Sequence, residues 1–387
     1  MNNTKAPRIE WLDFVRGISI ICIVIGHSGG PSSYYKHLFV FSFHVPIFFI
    51  ISGFLFSNSN SIKLSFEEIT YKRFRSLILP YFTTGMIMFL QMIVVCLYNW
   101  GRIFYYIHYN NLIINITDII KISFPFVYGM HLLLCFCYGT GKVVTQLHFD
   151  IGRVGAIWFL PSLFCANVIF YFFLKLFERY SIAIQSIIIV ILVFTGYMIG
   201  KYIFLPWSID VSLVSQVFLF SGYLMQKYKI FEKKAHIWLF IAAFSIWLVD
   251  LYMGGISLND RQYNNLAVST IGAIAASYLL MKLSYFLSNN NSFYYRSISY
   301  IGRQSLIILC FHPFDIEIPC SIIIRYFGFT WLYDENNHWI ILTVFRLCYT
   351  LLFAEIIKRL PILKSAYYPR TSRFKVQHSK QNDLAEI

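Results

Sequence analysis

A chain of 387 residues has the length of two soluble domains, but 58% hydrophobic, 19% aromatic and only 13% charged residues leave too little polar character to clothe a soluble protein of that size. Mean hydropathy is +0.61. The net charge of +14 is spread over loops and tail in the manner of a positive-inside bias. A nucleic-acid partner, a disulfide scaffold, a disordered regulator and an ordinary cytosolic enzyme are therefore excluded as readings.

In chain order, Met1–Glu10 is polar. The first apolar run keeps Asp13 and Arg16 and has no small-residue cleavage site after it, so no signal peptide is evident. A spanning helix needs ~20 mostly apolar residues. On that measure spans are predicted at 11–28, 37–57, 76–98, 156–175, 182–200, 209–226, 237–254, 266–287, 299–318 and 338–357. The short stretch 124–138, with Pro125, Gly129 and His131, reads as interfacial or re-entrant within a long loop, 99–155. With the N-terminus inside, most of the 32 Lys and Arg fall on the inner side, including Lys72, Arg73, Arg75, Lys227, Lys233 and the run from Lys358 onward. The expected fold is an all-α, polytopic integral membrane helix bundle with about ten transmembrane helices and both termini cytoplasmic. One transmembrane domain covers 1–357, followed by a basic cytoplasmic tail, 358–387. Most of the eight cysteines lie inside apolar runs and read as small core residues. Cys135 and Cys137 with His131 lack a second ligand pair at a zinc-like spacing, so no metal site is expected.

Ionisable groups within spans are costly and mark candidate sites. The first span holds Asp13, Arg16 and His27. Asp13 and Arg16 are three apart and can pair. Arg16 and His27 are eleven apart, three turns and ~16 Å of rise with about 20° of rotation, so all three share a face. The alternative is an interfacial anchor plus a satisfied polar residue at the helix end. In the second span His44 and Pro46 lie within FSFHVPIFFIISGFLF; Pro46 permits a kink, and Ser52 and Gly53 suit close helix packing. The ninth segment offers Arg303, Gln304, Ser305 and His312, the last two on one helical face, with Pro313 next. Neither a phosphate-binding glycine loop nor a nucleophile elbow is present.

The blocks WLDFVRGISIICIVIGHS, FSFHVPIFFIISGFLF, RSLILPYF, WFLPSLF and YIGRQSLIILCFH, in order over residues 8–315, resemble the acyltransferase family 3 membrane proteins. In flavour they are similar to the fucose 4-O-acetylase-like sugar O-acetyltransferases. The most specific element is an Arg-x10-His pattern, met by Arg16 and His27 with Asp13 in the Leu-Asp position. The resemblance implies transfer of an acyl group, usually acetyl from acetyl-CoA as donor substrate with no permanently bound cofactor. The implied acceptor is a sugar hydroxyl of a cell-surface polysaccharide or its lipid-linked precursor, and the implied location is a bacterial inner membrane. The partners implied are thus acyl-CoA, the glycan and membrane lipids.

On that reading His27 is the base that takes the hydroxyl proton, or carries the acyl group itself. Arg16 suits a CoA phosphate or a developing oxyanion, and Asp13 holds it. Lys72, Arg73 and Arg75 attract CoA phosphates or serve topology alone; the family's arginine pair three apart is met only by Lys72 and Arg75. Trp158 stacks on an adenine or sugar face, or belongs to an aromatic belt. His44, Ser305 and His312 are assigned to the acceptor side. The alternative is a membrane exporter of a polysaccharide or small organic acid, which would be expected to show pseudo-symmetric halves; none is found.

Overall fold

The computed structural model describes residues 9–28, 34–58, 61–91, 93, 129–146, 150–234, 236–289, 292–315 and 338–368. These are overwhelmingly helical, as apolar segments must be where no water can satisfy the backbone. α1 is Glu10–His27; α2, Tyr34–Phe41, bends at residues 42–45 into α3, Pro46–Asn58. The bend falls where Pro46 lacks an N–H, as the sequence predicts. α4, Phe66–Arg73, runs through a π-helical turn, Phe74–Ile78, into α5, residues 79–91. α6 is Gly129–Tyr138, a short apolar helix in the region read as interfacial or re-entrant. α7 (Phe159–Phe177), α8 (Ile182–Tyr202), α9 (Ile209–Val214), α10 (Gln216–Lys227), α11 (Ile237–Tyr252) and α12 (Leu266–Phe286) follow. A two-residue hairpin, Ile256–Ser257 with Gln262–Tyr263, separates the last two. α13 (Phe293–Arg303) and α14 (Ser305–Phe311) are split at Gln304, and α15 (Trp339–Arg359) leads to α16 (Pro361–Tyr367).

Among the described residues, five helical stretches are long and apolar enough to cross a membrane: Leu38–Asn58, Gly155–Phe177, Ile182–Tyr202, Leu266–Asn289 and Trp339–Arg359. The pair Pro206–Val214 and Gln216–Lys227, bent by 53°, makes a sixth if it is one broken span. The other four expected spans are helical where described but do not meet that measure, so the expected ten is supported only in part. α1 carries Glu10, Asp13 and Arg16, α11 is only 16 residues long, 76–98 is described continuously only to residue 91, and α13–α14 is interrupted.

Local sequence sets the helix starts. Ser65 and Glu68 form a reciprocal capping box at α4 (Glu68 N to Ser65 Oγ 3.2 Å, Ser65 N to Glu68 Oε2 2.9 Å). Ser181, Asn265 and Ser292 accept from the third N–H of α8, α12 and α13. α3 and α7 supply much of the core, through Ile47, Phe49, Ile50, Phe170 and Leu174. α8 and α11 turn Ile187, Val190, Phe194, Trp238 and Phe244 outward, a composition suited to lipid.

Two close crossings fix the middle of the bundle. A Cβ at Gly53 would lie 1.9 Å from Leu219 O, and one at Gly222 would lie 1.9 Å from Ile50 O, so α3 and α10 meet backbone to backbone. That contact, with Ser52 Oγ donating to Asn167 Oδ1 at 2.8 Å, is the packing role the sequence suggested for Ser52 and Gly53. α1 meets α13 in the same way, Gly17 against Ile298 O and Gly302 against Asp13 O. Of the region read as a tail, residues 361–367 form α16, whose Ala366 and Tyr367 are buried; the Tyr367 ring packs tilted against Phe311, centroids 5.5 Å apart, and its hydroxyl is 2.7 Å from Thr84 Oγ1.

Candidate active site

α1 and α13–α14 run side by side in the same direction, Gly17 facing Ile298 at one level and His27 facing His312 at another. At the first level Arg16 Nη1 donates to Asp13 Oδ1 at 3.2 Å; the carboxylate is 1% exposed and the guanidinium 27%. The pairing expected from the three-residue spacing is present.

At the second level the imidazoles of His27 and His312 meet edge to face with ring centroids 4.9 Å apart. Each ring holds its own helix: His27 Nδ1 lies 2.9 Å from Ile23 O, and His312 Nδ1 lies 3.0 Å from both Ile308 O and Leu309 O. A carbonyl only accepts, so Nδ1 carries the hydrogen and the neutral ring keeps its lone pair on Nε2. His312 is fully buried, and its Nε2 has no partner among the described residues. His27 is exposed. His44 shows the same lock, Nδ1 to Val40 O at 2.7 Å, and is one ring removed: it lies edge to face with Phe41, which itself covers Gly26 of α1.

The last span closes this end. Arg346, 1% exposed, donates from Nε and Nη2 to both oxygens of Asp315 at 2.8–3.1 Å. Its Nη1 reaches His27 O at 2.5 Å and Ser28 Oγ at 3.0 Å. Tyr349 OH is 2.5 Å from His312 O and 3.2 Å from Asp315 Oδ1. The sequence reading did not single out Arg346 or Tyr349. The available signal was an arginine inside an apolar span. Asp315 is held by the Arg346 fork, with the Tyr349 hydroxyl 3.2 Å from its Oδ1.

The remaining expected residues are spread along the bundle. Ser305 opens α14, seven residues and roughly 10 Å of rise before His312, so it stands apart from the histidine pair. Trp158 is 4% exposed and caps the start of α7, with Gly141 and Asn259 close by its indole. Lys72, Arg73 and Arg75 lie at the other end of α7, where Tyr171 OH donates to Leu64 O at 2.9 Å. Thirteen residues of helix, about 20 Å, separate Trp158 from that level. Lys72 is exposed; Arg73 lies 5.5 Å from the Phe56 ring and its Nε is buried without a partner among the described residues; Arg75 leans on Tyr71 at 6.0 Å. Near the level of Arg16, Arg303 and Lys358 both lie over Tyr300, at 5.5 and 5.3 Å. Cys135 Sγ is 3.7 Å from His131 Nδ1, and among the described residues no three His, Cys, Asp or Glu side chains are grouped to hold a metal.

The arrangement places a pair of imidazoles at one end of α1 and a concentration of cations at the other. A sequence model described as an acyltransferase domain matches residues 9–359. No curated protein and no solved structure matches the chain. The matched region takes in α1, both histidines, the basic cluster and the last span, and the chain therefore belongs to acyltransferase family 3, as a membrane protein of acyltransferase type.

Proposed function

We propose that this protein is an integral-membrane O-acyltransferase that moves an acyl group, acetyl in the simplest case, from acyl-CoA to a sugar hydroxyl of a surface polysaccharide or its lipid-linked precursor, in a bacterial inner membrane with both ends of the bundle's chain in the cytoplasm. The observation that carries the reading is the His27–His312 contact, two imidazoles from different helices with their Nδ1 atoms tied to carbonyls. The acceptor hydroxyl attacks the thioester carbonyl, and its proton passes to His27 Nε2 as the C–O bond forms. The tetrahedral intermediate collapses, the C–S bond breaks, and the CoA thiolate leaves with the proton from the imidazole. His312 lies beside that proton. An imidazole suits both transfers near neutral pH.

The donor's phosphates are assigned to the opposite end, where Arg16, Lys72, Arg73 and Arg75 lie. Arg73 supports this, because a buried guanidinium nitrogen without a partner among the described residues favours an anion. From Arg16 to His27 is ~16 Å along α1, a gap suited to a thioester on a long flexible arm. His44 and Trp158, at the histidine end, are assigned to the acceptor.

The test compares surface glycan from cells with the intact gene, a deletion and His27→Ala, by proton NMR of O-acetyl signals before and after mild base. Loss of the signals in both mutants, with glycan in normal amount, supports the proposal. Persistent acetylation with less surface glycan overturns it in favour of export.

A further inference from the structure

Both reactive histidines sit where helices end. His27 is the last residue of α1, and His312 follows the last residue of α14. The final carbonyls of a helix have no partner within it and must find one elsewhere. Here one neighbouring helix supplies it for both. Arg346 and Tyr349 are three residues apart on α15, hence on one face. The first donates to His27 O and Ser28 Oγ, and the second lies within hydrogen-bond reach of Phe311 O, at 3.1 Å, and His312 O. Asp315, three residues after His312, joins the two: it receives the Arg346 fork and lies 3.2 Å from the Tyr349 hydroxyl. The guanidinium is thus bonded on one edge to the end of α1 and on the other to the segment that follows α14.

We propose that Arg346 and Tyr349 are positioning residues that set the separation of His27 and His312. The inference rests on the transferase reading for its effect on rate, but its geometric content does not. Neither side chain touches the reacting atoms. Each acts on main-chain atoms of the histidines or of their immediate neighbours, and both are anchored by one buried carboxylate. A planar guanidinium can meet a carboxylate with two N–H groups and still direct another to a carbonyl, which an ammonium cannot do in the same geometry.

Two measurements test it. The first is steady-state transfer by purified protein in detergent, normalised to the folded fraction from size exclusion, for Arg346→Gln, Arg346→Lys and Tyr349→Phe. Misplacement of a catalytic group by 1 Å costs about a hundredfold in rate. Arg346→Gln is expected to lower kcat by that order while KM for acetyl-CoA stays within about threefold. Lysine recovers part of the loss, and Tyr349→Phe falls about tenfold. In a His27→Gln background Arg346→Gln is expected to add no further loss to the residual rate, because it acts through that histidine. Wild-type kcat in Arg346→Gln, a KM that rises in step with the loss of kcat, or an equal further loss without His27 overturns the proposal. If Arg346→Gln does not fold, Tyr349→Phe, which keeps the ion pair, decides by the same criteria.

The second measurement needs no activity. Cysteines replace His27 and His312, and a short bifunctional thiol reagent bridges them, with yield read by peptide mapping. Efficient bridging that falls several-fold with Tyr349→Phe or Arg346→Gln supports the proposal, and unchanged yield overturns it. Should the unmodified protein transfer no acyl group, the transferase reading fails while this measurement still decides the geometric one.

Discussion

Gly302 offers the sharpest link between packing and catalysis. A Cβ there would lie 1.8 Å from Asp13 O and 2.7 Å from Gly17 N, both main-chain atoms of α1. Real Cβ contacts do not fall below 3.0 Å, so Gly302→Ala must move α1 from α13 by at least about 1.2 Å. Overpacking of this kind costs about 1–3 kcal/mol, and here no flexible side chain can absorb it. The displacement is transmitted along two helices that lie side by side to the histidine pair. A shift of that size at the reacting groups corresponds to a rate loss of about a hundredfold. The expected result is a folded protein, less heat-stable, whose acetyl transfer falls by about two orders of magnitude. Gly85→Ala is the control: its Cβ would meet the Phe136 ring at 2.8 Å, a side-chain contact that leaves the α1–α13 crossing untouched, and the rate should change little. The assay is initial-rate transfer from acetyl-CoA beside a thermal unfolding curve. Gly302→Ala at wild-type rate, or Gly85→Ala equally impaired, would refute the reasoning.

Three further outcomes are expected. Ser52→Ala leaves Asn167 Oδ1 without its donor at 2.8 Å and should cost about 1–3 kcal/mol in thermal stability, with no change in KM for either substrate. Arg261→Met strands Asp210, which is 1% exposed and now holds the arginine at 2.8 Å; unfolding should become easier by about 3–5 kcal/mol, and adding Asp210→Asn should recover much of it. Arg73→Gln should raise KM for acetyl-CoA about tenfold, equivalent to about 1.4 kcal/mol, with kcat nearly unchanged; an unaltered KM removes Arg73 from the donor site.

How much of this was legible in sequence depends on the range of the interaction. The Asp13–Arg16 pair is three residues long, and helix periodicity alone revealed it. Ser52, Gly53 and Pro46 were legible as a packing patch and a kink because small residues and proline have few uses inside a span. His27 and His312 were each identified, but their contact was not, since nothing local says that α1 and α14 end at the same level. Arg346 escaped for the same reason: an arginine in an apolar run signals a partner without naming it, and its partners lie at Asp315 and His27. Trp158 and the basic cluster stand about 20 Å apart, a separation set by the length of α7 between them. Two of the expected spans miss the measure because α1 and α13–α14 are charged or broken where the candidate site lies, which departs from the ideal of a long apolar helix.

The union of α1 and α15 also has a meaning in time. The Arg346–His27 bond joins residues 319 positions apart. At a synthesis rate of roughly 5–20 residues per second, α1 waits about 15–60 s for the residue that caps it. Its own ion pair is local and available at once. The capping of His27, and the wall that Tyr367 adds against Phe311, come only once residues 346–367 have been made. A nascent chain thus carries the His27 imidazole well before the side chain that caps its carbonyl has been made.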